Sequence, residues 1–332
     1  MAGKQDGRWG HGGGKTLMRV GAIDCGTNSI RLLIADIDAL TGDVRDVVRR
    51  MEVVRLGHGV DRTGRLDPER IAATIAMAQE YSAQCRDHGV EAVRFVATSA
   101  SRDASNAAEF VAGVQAAFAD FGIRPEVVTG EEEAGLSFRG ATGDLQANGI
   151  LGPYLVVDIG GGSTEFVVGT HGVTACTSTD VGCVRLTERH LASDPPTAEE
   201  VAAARADAEA AIDAAASRVP LAEAVALVGL AGSITTVTAH ALELDRYRPE
   251  AIHLSRLTID QAIAACDDLI TMDRARRAAL PFMHPGRVDV IAGGALVWRA
   301  LLARVAVFNP SMPVLTSEHD ILDGIALSLV RR

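Results

Sequence analysis

An internal repeat narrows the fold more than any other feature of this chain. Asp24-Cys25-Gly26-Thr27-Asn28-Ser29-Ile30-Arg31 aligns without gaps on Asp158-Ile159-Gly160-Gly161-Gly162-Ser163-Thr164-Glu165. Each copy follows apolar strand residues (Ala22-Ile23; Val156-Val157) and precedes more of them (Leu32-Leu33-Ile34; Phe166-Val167-Val168). A β-run, a short Gly/Ser turn and a second β-run read as a hairpin. Two hairpins in matched register imply two similar halves that face each other. The 332 residues exceed what one hydrophobic core usually serves, which agrees with two domains.

Around the hairpins, strand-like and helix-like patterns alternate, the mark of an α/β architecture. In the first half, β-runs cover Arg19–Asp24, Ile30–Ile37 and Val44–Leu56. Asp67-Pro68 opens a helix to about Asp87, with Pro at its first position. A buried strand at Ala92–Ala97 precedes a helix that starts at Asn106, with Glu109 three residues on as in a capped start, and runs to Gly122. Val127-Val128 then forms a short strand, and a helix begins at Glu131. The scheme restarts with β-runs at Tyr154–Asp158, Thr164–Gly169 and Val173–Asp180. Thr197/Glu200 and Thr258/Gln261 have capping-box spacing, Ala224–Leu230 reads as a strand, and Arg287–Val305 as a long helix.

An Asp at a strand end followed by a Gly/Ser turn carries specific chemistry. Glycine lets backbone approach a ligand, several N–H groups can converge on phosphate oxygens, and the Asp is placed to hold Mg²⁺ beside them. One such turn has a purely steric reading; two in matched register favour function. A third loop, Gly229-Leu230-Ala231-Gly232-Ser233-Ile234-Thr235-Thr236, lies at a strand-to-helix junction and offers another anion site. Gly130-Glu131-Glu132-Glu133-Ala134 opens a helix, where acidic residues also suit the helix dipole. Hydrolysis needs a carboxylate to orient water, and a Glu at its ordinary pKa is ionised at pH 7, but sequence does not separate these three. Arg102, after a buried strand, is either a phosphate clamp or a solvated turn residue. Ser317-Glu318-His319-Asp320 imitates a catalytic triad, yet adjacent residues cannot converge; it reads as a helix cap before Ile321.

The formal net charge of −11 argues against a nucleic-acid or membrane surface, though a polyanion can still bind in a local pocket. Five cysteines without a C-x-x-C pair suit buried thiols in a reducing compartment, and no histidine spacing suggests zinc. With no apolar run of about 18 residues and no leader pattern, the expected location is the cytoplasm. Residues 1–16, Gly-rich and aperiodic, read as a disordered tail.

The ordered motifs A-I-D-C-G-T-N-S-I-R-L-L-I, V-A-T-S-A-S-R-D-A, G-E-E-E-A, V-V-D-I-G-G-G-S-T-E, G-C-V-R-L-T-E and G-L-A-G-S-I-T-T resemble the exopolyphosphatase/guanosine pentaphosphate phosphohydrolase family. The segments Leu280-Pro281 through Arg287-Val288-Asp289-Val290-Ile291 and S-E-H-D-I-L-D-G-I-A resemble the closing segments of that family. The resemblance implies two ribonuclease-H-like domains of the acetate and sugar kinase/Hsc70/actin superfamily with an interdomain active cleft. Residues 17–140 plus about 311–332 would form the first domain, and 141–310 the second. Glu133 matches the catalytic base; Asp158 and Glu165 match the metal and catalytic cluster, with Asp24 as the acid opposite. Asn28, Ser29, Arg31, Ser99 and Arg102 would bind phosphate from the first domain; Gly160, Gly161, Gly162 and Ser163, with Gly232 and Ser233, from the second. The implied reaction is Mg²⁺-dependent release of orthophosphate from inorganic polyphosphate, with Mn²⁺ as a substitute and K⁺ left open. Guanosine pentaphosphate as substrate and a nucleotide-binding regulator with little turnover are the alternatives, and a homodimer is left open. Gly135 stands where many relatives have Arg, and longer relatives carry further helical domains, from which a preference for short chains is expected.

Overall fold

Both repeated segments fold as β-hairpins, and each hairpin lies at the middle of its own sheet. In this computed structural model, which describes residues 17–330 and so leaves the expected tail outside, β1 (Leu17–Cys25) pairs antiparallel with β2 (Ser29–Asp38), Asp24 opposite Arg31. After β3 (Val44–Val53) come α1 (Val60–Thr63), α2 (Pro68–Asp87), β4 (Ala92–Ala97), α3 (Ser99–Asp103), α4 (Ala107–Ala117), β5 (Glu126–Val127) and α5 (Gly130–Ala147). The first sheet has the order β3-β2-β1-β4-β5. The second half repeats the plan with β6 (Tyr154–Ile159), β7 (Thr164–Gly169) and β8 (Val173–Thr179), and Asp158 faces Glu165 in the same register. It continues through α6 (Cys183–His190), α7 (Ala198–Ala216), β9 (Ala226–Leu230), α8 (Ala231–Ala241), α9 (Pro249–Ile252), β10 (Arg256–Leu257), α10 (Ile259–Thr271) and α11 (Arg274–Ala279). Last come α12 (Ile291–Phe308), β11 (Val314–Thr316) and α13 (Ile321–Ser328), and the second sheet reads β10-β11-β9-β6-β7-β8.

Burial on both faces explains why the hairpin strands are apolar almost throughout. In β2, Ile30, Leu32 and Ile34 face the core under α2 and α4, whereas Leu33, Ala35 and Ile37 face α13. In β6, Leu155, Val157 and Ile159 face α7, α10 and α12, while Tyr154 and Val156 face α5. Helix α5 is shared: Leu136 enters the core of the first sheet, and Ala134, Phe138, Ala141 and Leu145 enter that of the second. It crosses α13 at backbone distance, because a Cβ on Gly140 would collide with the Asp320 carbonyl and one on Gly324 with that of Leu136. Only glycine permits so close a crossing.

Predicted caps form at Asp67, Thr197 and Thr258, the last two as full capping boxes. Asp320 caps α13 with Asp323 as its reciprocal partner. Three expectations need correction. Asn106 makes no side-chain cap; its amide instead holds the Leu66 backbone N–H and C=O at 2.8 and 3.0 Å. Helix α12 starts at Ile291, not Arg287, because His284 takes the N–H of Gly286 and closes a 3₁₀ turn over Pro285–Arg287. The chain returns to the first sheet only after Thr316, later than residue 311, because β11 pairs with β9 and β10. Helix α12, interrupted only by Arg299 and Arg304, is long and apolar enough to cross a membrane, yet Ile291 to Leu302 is mostly core.

Candidate active site

The two hairpin turns meet tip to tip. A Cβ on Gly161 would lie 2.8 Å from Thr27 Cβ, and one on Gly162 2.5 Å from Ser99 Oγ, so no side chain fits at either position. Sequence reasoning reserved these glycines for a ligand; their first use is to let the opposite half approach. A cleft of ≈110 Å³ opens beside the contact, lined by Asp24, Asn28, Ser29, Arg31, Ser99, Glu133, Asp158, Gly160–Gly162, Ser163, Gly232 and Ser233. Glu165 and Arg102 stand behind this lining.

Geometry separates the three glutamates of α5. Glu131 and Glu132 are exposed, and Glu132 pairs with Arg94 at 2.7 Å, whereas Glu133 is buried on the cleft side. One oxygen of Glu133, Oε2, accepts from Arg102 Nη1 at 2.6 Å. Burial pushes its carboxyl up to about 7 against the pull of Arg102, so the group is poised to exchange a proton at neutral pH. Burial is the influence that the ordinary pKa of a Glu leaves out. Ser137, one helical turn on, donates to Asp158 Oδ2 at 2.7 Å, and burial pushes Asp158 up to about 7 as well. Glu165 is raised well above its ordinary value by burial, then by Glu133 and Asp158. Its Oε1 accepts from Ser178 at 2.8 Å, but its buried Oε2 has no partner.

Four carboxylates crowded without enough cations, one with an orphaned oxygen, match what a hard divalent cation needs. Asp24, Asp158 and Glu165 are therefore the residues that could hold an Mg²⁺ or Mn²⁺ ion.

Two expected phosphate ligands are already engaged. Arg31 donates through Nε and Nη2 to Asp24 Oδ2, at 2.9 and 2.6 Å, and through Nη1 to Asp320. Burial raises the Asp24 carboxyl in spite of that partner; Asp320, also buried, is held low by Arg31 and the Leu322 N–H. Arg102 is spent on Glu133 and the Val128 carbonyl. These arginines balance internal carboxylates. The cleft's other cation, which sequence reading quoted without a role, is Arg287. Its guanidinium packs on Gly232, where a Cβ would lie 2.5 Å away, stacks 5.8 Å over Tyr247, and donates to Thr236 Oγ1 at 3.2 Å. It forms no ion pair among the described residues. Position i+4 from Glu133 was a usable signal for Ser137; nothing in the sequence tied Arg287 to Gly232. Ala231, before Gly232, adopts φ +67, strain of the kind concentrated at functional loops.

A second cluster lies outside the cleft, where Asp144 meets His253 and His319. His253 Nδ1 accepts the Glu318 N–H at 3.2 Å, which puts its proton on Nε2, 3.3 Å from Asp144. That tautomer opposes metal binding, so the trio is a hydrogen-bonded clasp. Hydrogen bonds from His253 and His319 lower the Asp144 carboxyl from 3.8, and the bond to Asp144 raises His319 from 6.5, Asp323 adding to it and burial and Arg49 opposing. The Asp contribution is lost as pH falls below its ordinary value, and the His contribution as pH rises through its raised one. Chemical denaturation of His319→Gln should thus show its largest deficit near pH 5.5 and a shrinking one toward pH 8.5; a pH-independent deficit would refute the charged pair.

Comparison with known proteins places these features in context. The model of the Ppx/GppA phosphatase family matches residues 33–330. Exopolyphosphatase 2 of Mycobacterium tuberculosis is 51% identical over 317 residues, covering 94% of this chain and 99% of that protein. The crystal structure of an exopolyphosphatase-like protein superposes with a TM-score of 0.89 at 40% identity, covering 96% and 99% of the two chains. An Aquifex aeolicus PPX-GPPA enzyme does so with a TM-score of 0.76 at 32% identity, covering 94% and 99%.

Proposed function

The chain belongs to the Ppx/GppA phosphatase family, and from that premise we propose that it is an exopolyphosphatase releasing orthophosphate from the end of inorganic polyphosphate with a divalent cation. The observation that carries the reading is the orphaned Glu165 oxygen beside Asp158 and Glu133, at the seam where two Gly-rich turns meet.

Asp158 and Glu165, with Asp24 opposite, would hold the cation, and Ser137 fixes the Asp158 carboxylate. When bound, Mg²⁺ neutralises charge on the terminal phosphate oxygens. The N–H groups of Gly161–Ser163 and of the Gly232–Ser233 turn orient the phosphates, with Ser29, Asn28 and Ser99 on the other side. Arg287 faces the cleft as the cation free to meet a phosphate further along the chain. Arg102 anchors one oxygen of Glu133, leaving the other to orient water and accept its proton. The free cysteines, four of them buried, support a cytoplasmic setting.

The test is orthophosphate release from short polyphosphate, long polyphosphate, guanosine pentaphosphate and ATP. Short polyphosphate should be cleaved fastest, with activity abolished by EDTA and restored by Mg²⁺ or Mn²⁺. Release confined to guanosine pentaphosphate would move the assignment to that substrate. Full activity in EDTA would remove the cation.

A further inference from the structure

The segment Gly182-Cys183-Val184-Arg185-Leu186-Thr187-Glu188 has no part in the mechanism above. We propose that Arg185 is a positioning residue that holds the phosphate-binding turns of the two halves in register, an inference that rests on the phosphatase reading of the cleft. Helix α6 starts directly behind the second turn: the N–H groups of Cys183, Val184 and Arg185 donate to the carbonyls of Gly160 and Gly161 at 3.0, 2.9 and 3.1 Å. Gly182 packs so tightly on Gly161 that a Cβ would stand 2.6 Å from its carbonyl carbon.

From that anchored main chain the Arg185 side chain, 11% exposed, crosses to the first half. Nη2 donates to Ser99 Oγ at 3.3 Å and pairs with Asp103, while Nη1 lies 3.1 Å from Asp61. One residue thus binds Gly161 through its backbone and Ser99 through its side chain, and both line the cleft from opposite halves. Arg189, one turn on, bonds both oxygens of Asp61 at 2.7 and 2.8 Å, and Glu188 accepts the Gly59 N–H at 3.2 Å. An isolated surface ion pair contributes little, but a largely covered fork that meets three acceptors on α1 and α3 fixes a geometry. The geometry is tight. With Gly162 already against Ser99, a shift of about 1 Å between the halves displaces the phosphate donors enough to weaken binding severely.

Steady-state kinetics on short polyphosphate test this. Arg185→Ala should raise KM about tenfold with kcat within about threefold, since Glu133 and the acidic cluster are untouched. Arg185→Lys should fall between, because one ammonium nitrogen cannot span acceptors that the guanidinium reaches through two. An unchanged KM, or a fall in kcat alone, overturns the proposal. A second readout does not depend on turnover: the distance between spin labels at Leu40→Cys and Val307→Cys, both exposed, in a background freed of the native cysteines. The distance distribution should be narrow in the parent and broad after Arg185→Ala; an unchanged distribution overturns the proposal. If the parent releases phosphate from no substrate, the phosphatase reading fails while the label distances still decide the role of Arg185. Should Arg185→Ala not fold, Asp103→Asn carries both measurements, with the same directions expected and the same results overturning them.

Discussion

Glu133→Ala should lower kcat for phosphate release by about 10²-fold or more while leaving thermal stability close to that of the parent, because it removes the group placed to orient and deprotonate water. The neighbouring Glu132→Ala, in the same helical turn but exposed and paired with Arg94, should change kcat little. The comparison matters because both substitutions alter the first turn of α5 and its dipole alike. Glu133→Gln refines it: the amide can keep the Arg102 contact through its carbonyl oxygen but cannot accept the proton, so activity should stay low. Near-parental turnover in Glu133→Ala would remove this residue from the base role, and equal losses at 132 and 133 would point to a helix effect.

Arg31→Met should destabilise the fold by roughly 3 kcal/mol or more, read as a fall in the denaturant midpoint, since it leaves two buried carboxylates without their shared cation. Asp24 and Asp320 are each buried and both depend on Arg31. The loss spreads further, because Asp320 caps α13 and Arg49 bridges to Asp323, the third residue of that helix. An arginine acting only as a phosphate ligand behaves otherwise: its removal raises KM and leaves stability unchanged or improved. That outcome would restore the role the sequence resemblance implied and defeat the structural one.

Much of this architecture is legible in the sequence for local reasons. Gapless alignment of the two Asp–Gly turns gives both hairpins and even their register, Asp24 opposite Arg31 and Asp158 opposite Glu165. Caps at Asp67, Thr197 and Thr258 are local hydrogen-bond patterns, so spacing reveals them. What escaped depends on partners distant in sequence. Asn106 resembles a cap until it is seen holding Leu66, and the pairing of Arg31 with Asp320 joins residues from opposite ends of the chain. Arg287 carries no signal of its role in the sequence, because its place against Gly232 and Tyr247 exists only after three segments converge. The proton affinity of Glu133 was missed for the same reason, burial being a property of the fold.

Helix α5 has a mechanical consequence. It carries Glu133 at its start and packs against both sheets, with Leu136 in one core and Phe138 in the other. Any swing of the halves about their common seam therefore has α5 near its pivot, where displacement is least. Glu133, at the start of that helix, therefore keeps its place while the halves turn about it. A swing of this kind would part the two turns, which touch across the seam, without resetting that carboxylate.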